Sequence, residues 1–413
     1  MISYAKIAFS VTKAEFSGFS LNKNIKNFVF EKGENMKKFL SLILALCLSV
    51  SFSVTAFADG ISISAKSAIL VERSTGRVLF EYEADKQMPP ASITKIMTLL
   101  LVMEAIESGK LNFETEVTAS EHACSMGGSQ IWLEPGEVFT VHELLKAATI
   151  ASANDACVAL AEAVSGSEEA FVELMNQKAA ELGMENTVFK NSTGLDAEGH
   201  VSTAKDIAKM SAALLSHEKI KEYSTVWIDS LRNGETELTN TNKLVRFYKG
   251  CTGLKTGSTD EAGCCLAASA ERGGMELVSV TLGSPNTDER FAAGRKLLDY
   301  GFANFAVAKP KPPVEELRDI PVSHGVCDFV TPVFEEPETY LLPKGQEELI
   351  EQKVDLPESL EAPVEKGRVI GKVTVSLNGG EIGSYNIIAG ETVEKMSFGA
   401  ALKILLLEAI STK

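Results

Sequence analysis

Little in this sequence suits a metal. Histidine occurs five times in 413 residues, and none of the seven cysteines falls in a C-x-x-C pair. Zinc sites need such clusters, so no metal or other cofactor is expected. Cationic surface is short as well: 40 Lys and Arg stand against 56 Asp and Glu, a net charge of -16. Phosphate backbones are held by basic patches, and their absence argues against a nucleic-acid partner. Cysteine is also too sparse for a disulfide-stapled scaffold. Six cysteines remain beyond Cys47, an even number that permits pairing, but most read as small buried apolar residues. What is present is an ordinary globular balance, 45% apolar and 23% charged, with length for two or three domains.

The N-terminal region reads as an export signal. In "MKKFLSLILALCLSVSFSVTAFADG", Lys37 and Lys38 precede an apolar core, and Ala56 and Ala58 form a small-x-small cleavage pattern. The apolar stretch is near the lower length limit for spanning a bilayer and is diluted by serines. Residues 36–58 are therefore expected to be a signal peptide, and residues 1–35 a non-native extension ahead of a true start at Met36. The mature chain would begin near Asp59, exported to the outer face of the cytoplasmic membrane or the cell wall.

Along the mature chain, "ISISAKSAILVERSTGRVLFEYEAD" reads as a hairpin, followed by a helix from Ser92. Two helical stretches flank "ASAN". "EEAFVELMNQKAAELG" is helical with Gly183 as its stop, and "STAKDIAKMSAALLS" is a helix that Ser202 or Thr203 can cap, with Asp206 assisting its opening turn. "LKTGSTDEAGCCLAASAERGGMELVSVTLG" reads as two strands joined at "ERGG", and "TDERFAAGRKLLDYGF" as a last helix. Strands at both ends with helices between predict an α+β fold: one antiparallel sheet flanked by helices over residues 59–307, with early and late strands as neighbours. Residues 308–316, "AKPKPPVEE", read as a linker. Residues 317–394, with an "NGG" turn between alternating segments, predict a small all-β domain. Residues 395–413 predict an amphipathic helix that lies on the membrane surface or packs on its own domain.

Three motifs bear on chemistry. In "PPASITKIMTLL", Ser92 and Lys95 sit three apart, on one face of a helix. Serine becomes a nucleophile when a base takes its proton, and lysine can be that base only when burial or a second cation keeps it neutral. Alone the motif is weak, since about one or two S-x-x-K hits arise by chance in such a chain. Ser152 and Asn154 of "SAN" can relay a proton and orient an amide, though singly they read as a helix cap. Lys255 and Thr256 of "KTG" can hold a carboxylate, and Gly257 leaves room for a substrate along the strand; singly, Lys255 reads as a surface residue before a turn. His200 in "GLDAEGHVST" invites assignment as a base.

In this order, with separations of about sixty and about one hundred residues, the three motifs resemble those of the penicillin-binding and serine β-lactamase superfamily. Within it, "MPPASITKIMT", "GGSQIWLEPGE", "NSTGL", "NTNKL" and "GLKTGSTDEAGCCLAASA" resemble the D-alanyl-D-alanine carboxypeptidases of low-molecular-mass penicillin-binding type, peptidase S11-like. The resemblance covers roughly residues 60–305. It implies a β-lactamase/transpeptidase-like fold and a serine carboxypeptidase that trims peptidoglycan stem peptides ending in D-Ala-D-Ala, with β-lactams as covalent inhibitors. Ser92 would be the nucleophile, Lys95 its base and Ser152 the proton relay. Asn154, Lys255, Thr256, Gly257, Ser258, Thr259 and Arg290 would bind substrate, with the N–H groups of Ser92 and Ser258 as the oxyanion hole. The resemblance also implies that His200 serves structure rather than catalysis. A transpeptidase or endopeptidase on the same acyl-enzyme, or a silent peptidoglycan binder, stays open as an alternative. Efficient β-lactam hydrolysis is not expected, since no glutamate motif for deacylation is visible. Vegetative wall and spore cortex are equally open as places of action.

Overall fold

The computed structural model describes residues 61–402. The expected extension, the signal peptide and residues 403–413 of the expected terminal helix lie outside the described residues.

The first strand shows how the centre is organised. β1 (Ser67–Glu72) is buried at all six positions. Its side chains alternate: Ile69 and Val71 join one apolar core, Ala68 and Leu70 another. A strand covered on both faces belongs in the middle layer of a sandwich of helices and sheet. β2 (Val78–Tyr82) pairs with it as a hairpin. After a short 3-10 turn, Ala91–Thr94, comes α1 (Lys95–Glu107), buried at ten of its 13 positions. A helix apolar nearly all round is a central element, and α1 forms the spine of the larger core.

α2 (Val141–Lys146) runs into a π-helical turn, Ala147–Ala151, which ends at Ser152. α3 (Asn154–Ser165) and α4 (Glu168–Glu181) follow, and Gly183, at φ +66°, closes the second of them. α5 (Ala204–Ser216) is capped by Thr203, whose hydroxyl accepts from Asp206 N. Asp206 itself does not turn back to the cap. Its carboxylate accepts from Asn186 N and Thr187 Oγ1, which ties the preceding loop to the helix.

The late segment holds three strands rather than two. β3 (Cys251–Thr259) and β4 (Gly263–Arg272) are joined by a tight turn in which Thr259 Oγ1 accepts from Ala262 N and Gly263 takes φ +68°. The polar "TDEAG" stretch is this second turn. β5 (Met275–Ser284) follows the expected "ERGG" turn, where Gly273 and Gly274 both have positive φ. The sheet order is β2-β1-β5-β4-β3, antiparallel throughout, so early and late strands are neighbours and β3 is an edge. α6 (Thr287–Asn304) covers the face away from α1, with Phe291, Leu297 and Leu298 in the second core.

Beyond it the chain is β-rich. β6 (Phe305–Ala308), β7 (Pro332–Phe334), β8 (Tyr340–Pro343), β9 (Ile350–Asp355), β10 (Val369–Leu377) and β11 (Gly380–Ala389) carry most of it. β6 pairs with β8, and β7-β11-β10-β9 form a four-stranded antiparallel sheet around Val373, Val375, Ile387 and Ala389. The β10–β11 turn at Asn378 and Gly379 has positive φ at both residues, the geometry that an Asn-Gly pair favours. A helical turn starts at residue 398. Among the described residues no helix is long and apolar enough to cross a membrane.

Candidate active site

The site begins where the 3-10 turn meets α1. Ala91 holds a positive φ of 49°, and Gly194 packs against it so tightly that a Cβ at 194 would lie 1.9 Å from the Ala91 carbonyl oxygen. This contact fixes the turn carrying Ser92. One turn on, Lys95 is fully buried. Its Nζ lies 2.9 Å from Ser92 Oγ and donates to the Thr193 carbonyl at 2.7 Å. Burial lowers the Lys95 pKa to about 8, opposed by Cys157 and Asp155. A neutral amine has two N–H groups and one lone pair. With an N–H on Thr193, the lone pair is available to the Ser92 hydroxyl.

Lys255 reaches the same interior from β3. It is 1% exposed, and its Nζ has no hydrogen-bond partner among the described residues. Burial first, then the charge of Lys95, brings its pKa down to about 7. Two amines sharing a buried space cannot both hold a proton cheaply. The next residues of the strand press on Ser92: a Cβ at Gly257 would lie 2.9 Å from Ser92 N and 3.0 Å from the Pro90 oxygen. Thr256 is buried and Ser258 exposed. Thr259 spends its hydroxyl on the β3–β4 turn. Arg290, on α6, donates to the carbonyls of Gly257 and Cys265, so its guanidinium braces these strands from behind.

The third side comes from the π-helical turn. Such turns displace one residue from the helical ladder and recur at functional sites. Here Ser152 takes left-handed backbone angles, φ 63° and ψ 29°, between the turn and α3. Its Oγ is buried and without a partner among the described residues, as is Asn154 Oδ1. Asn154 Nδ2 donates to the Gly127 carbonyl at 2.6 Å, and its backbone N to Ser129 O at 2.7 Å. Asp155, fully buried, accepts from the backbone N of Ile131 and Leu133. The loop of residues 127–133 is thus tied to the start of α3 at four points. An unpartnered hydroxyl, amide oxygen and amine, all buried, are groups for which a polar substrate would supply partners.

His200 is a brace. Its Nδ1 accepts from Lys190 N, and its Nε2 lies 2.9 Å from Thr94 Oγ1. Burial drops its pKa to about 4, so the ring is neutral at pH 7. Among the described residues no acidic, His and Cys cluster could hold a metal ion. All six described cysteines are free.

Sequence reading passed over several residues at the site. Thr193 acts through its carbonyl, which no side-chain motif reveals, although "NSTGL" carries it. Asp155 directly follows Asn154, and Cys157 lies one helical turn beyond it, buried where both lysine charges act on its thiol.

The chain matches the family model described as D-alanyl-D-alanine carboxypeptidase, peptidase S11, over residues 53–286, and the penicillin-binding protein 5 C-terminal domain over residues 309–395. It is 41% identical to the D-alanyl-D-alanine carboxypeptidase DacF of Bacillus subtilis, over 89% of this chain and 97% of that one. With the D-alanyl-D-alanine carboxypeptidase DacC of Escherichia coli it shares 36% identity, over 87% and 91%. Among solved structures, penicillin-binding protein 5 of Haemophilus influenzae superposes with a TM-score of 0.71 at 31% identity, covering 83% of this chain and all of that one. The ampicillin-bound penicillin-binding protein D2 of Listeria monocytogenes matches 59% of this chain and 99% of its own, at 34% identity and a TM-score of 0.54.

Proposed function

The chain belongs to the peptidase S11 family of D-alanyl-D-alanine carboxypeptidases, and we propose that it removes the terminal D-alanine from peptidoglycan stem pentapeptides through an ester on Ser92. One observation carries the assignment of roles: the buried Lys95 amine, with its pKa lowered to about 8, lies 2.9 Å from the Ser92 hydroxyl.

Lys95 takes the Ser92 proton as Oγ attacks the carbonyl carbon between the two D-alanines. The N–H groups of Ser92 and Ser258 stabilise the oxyanion. Collapse breaks the C–N bond, and Ser152 gives its proton to the departing D-alanine amine while taking up the proton that Lys95 had accepted, so both end the step neutral. Water then cleaves the acyl ester, releasing the shortened peptide and restoring the Ser92 hydroxyl. Lys255 and Thr256 hold the terminal carboxylate, while the Thr259 hydroxyl stays on the β3–β4 turn and Arg290 braces β3 from behind. Asn154 accepts or donates to the peptide amide. β3 is an edge strand, and an extended peptide can add to it, with Gly257 leaving the space. β-Lactams, whose strained amide presents the same carbonyl, acylate Ser92.

The location proposed is the outer face of the cytoplasmic membrane. Exposed Phe398 and half-exposed Leu402, on the helical turn that starts at residue 398, support contact of this end of the chain with a membrane surface. The catalytic part is read as residues 59–307 and the β-rich part, 317–394, as a spacer or binding module. Incubating the purified protein with a D-Ala-D-Ala pentapeptide and a fluorescent penicillin tests the activity. Free D-alanine and tetrapeptide in equal amounts, with labelling lost in Ser92→Ala, are expected. Cross-linked peptide products would reassign it as a transpeptidase. Absence of both label and release would leave a silent binder.

A further inference from the structure

Lys95 hangs on a strap of chain that is held from its far side by a carboxylate outside the three motifs. Residues 95 and 98 lie on one face of α1. Lys95 Nζ donates to Thr193 O at 2.7 Å and Thr98 Oγ1 to Ser192 O at 2.6 Å, so two consecutive carbonyls lie along that face. Within the strap, Asn191 Oδ1 accepts from Thr193 N, Thr193 Oγ1 and Gly194 N. On the outer side, Glu168 Oε1 accepts from Ser192 N at 2.9 Å and from Ser192 Oγ at 2.7 Å. Its other oxygen, Oε2, lies 2.7 Å from His122 Nε2. Ser192 is fully buried and the Glu168 side chain 12% exposed, while His122 reaches solvent.

We propose that Glu168 is a positioning residue for acylation: it holds Ser192, and so the Thr193 carbonyl, where that carbonyl pins an N–H of Lys95 and turns the lone pair toward Ser92. The inference rests on the assignment of Lys95 as base. Without Glu168, two donors on Ser192 lose their buried acceptor, and buried donors seek a new one by moving the backbone that carries them. A shift of the Thr193 carbonyl lets the Lys95 amine rotate away from the hydroxyl. Bulk binding of a ligand in the cleft does not depend on that rotation. Loss of aim therefore falls on the chemical step alone.

Stopped-flow acylation by a fluorescent penicillin separates the non-covalent Kd from the first-order acylation constant. In folded Glu168→Ala the acylation constant is expected to fall on the order of 10²-fold, as for an ångström-scale misplacement, with Kd unchanged. Glu168→Gln keeps an acceptor oxygen for Ser192 and is expected to stay within about threefold of wild type. A folded Glu168→Ala with unchanged acylation overturns the proposal. So does a parallel loss of Kd, acylation and melting temperature, which marks a merely structural carboxylate. Should Glu168→Ala not fold, Ser192→Ala decides: a fall of about tenfold in the acylation constant at constant Kd supports the idea, and none overturns it. Wild-type protein that resists labelling, or Ser92→Ala that accepts it, would instead refute the underlying assignment of the nucleophile, whatever the Glu168 variants do.

Discussion

Gly257 lies so close to Ser92 that a methyl group on its α-carbon would sit 2.9 Å from Ser92 N and 3.0 Å from Ala91 Cβ. Ser92 N is backbone, as is the Pro90 oxygen at 3.0 Å, and neither can swing aside. Gly257→Ala must push β3 and the Ser92 turn apart, at an overpacking cost of about 1–3 kcal/mol. The backbone of Gly257 needs no unusual φ, so the effect is steric. Penicillin labelling is expected to drop by on the order of 10²-fold while the protein still folds. Labelling within a few-fold of wild type would show that the strand does not press on the nucleophile in solution.

Lys95 is expected to be irreplaceable by a permanent cation. Arginine at 95 keeps the positive charge but does not give up its proton at any working pH. If Lys95 accepts the Ser92 proton, Lys95→Arg should lower the acylation rate by about 10²–10⁴-fold, the usual worth of a general base. If the residue only offers charge to the substrate carboxylate, Arg should largely restore what Ala removes. Second-order labelling constants for the Arg and Ala variants side by side distinguish these cases.

The sequence made the frame of this site readable. Ser92 and Lys95 are local neighbours, and their pairing follows from helical spacing. The antiparallel sheet followed from strands placed early and late around helices. The turn after Thr259 was missed because Asp260 and Glu261 interrupt apolar segments without the Gly-Gly signature that marks the next turn. Thr193 was not legible because it acts through a carbonyl whose direction depends on Asn191, Ser192 and Gly194 together. The burial of Lys255 was hidden for a related reason. A lysine before Thr-Gly looks like a surface residue until the fold covers β3 with the turn from Pro90 to Thr94.

Thiol accessibility should follow burial closely. Cys157 and Cys265 are buried, and burial raises both thiols to about 11, whereas Cys327 is exposed. Reactivity needs access and thiolate. Native protein treated with a chromogenic disulfide reagent should release one rapid equivalent that is lost in Cys327→Ser. Cys157 and Cys265 should react only after unfolding. Rapid modification of Cys157 in the native state would mean that the space around the two lysines opens to solvent.

The Lys255 amine gives a stability signature whose sign can be worked out. Burial and the charge of Lys95 bring its folded pKa down to about 7 from the ordinary 10.5. Between those values the unfolded chain binds a proton that the folded chain does not. Stability therefore rises with pH across this window, is fully present above 10.5, and is lost as pH falls toward and through 7. Lys255→Met fills similar space without a titrating group, so it escapes this loss. Its melting temperature should exceed that of the wild type most at pH 6 and least at pH 10, by about 2–4 °C for each kcal/mol of relieved cost. The same variant should bind the carboxylate of penicillin poorly at every pH, which separates the amine's use in recognition from its cost in folding. Thermal melts of both proteins across pH 6 to 10 make the comparison. A gap that stays constant would mean that the amine is solvated, and the picture of two amines competing for a proton in one buried space would have to be abandoned.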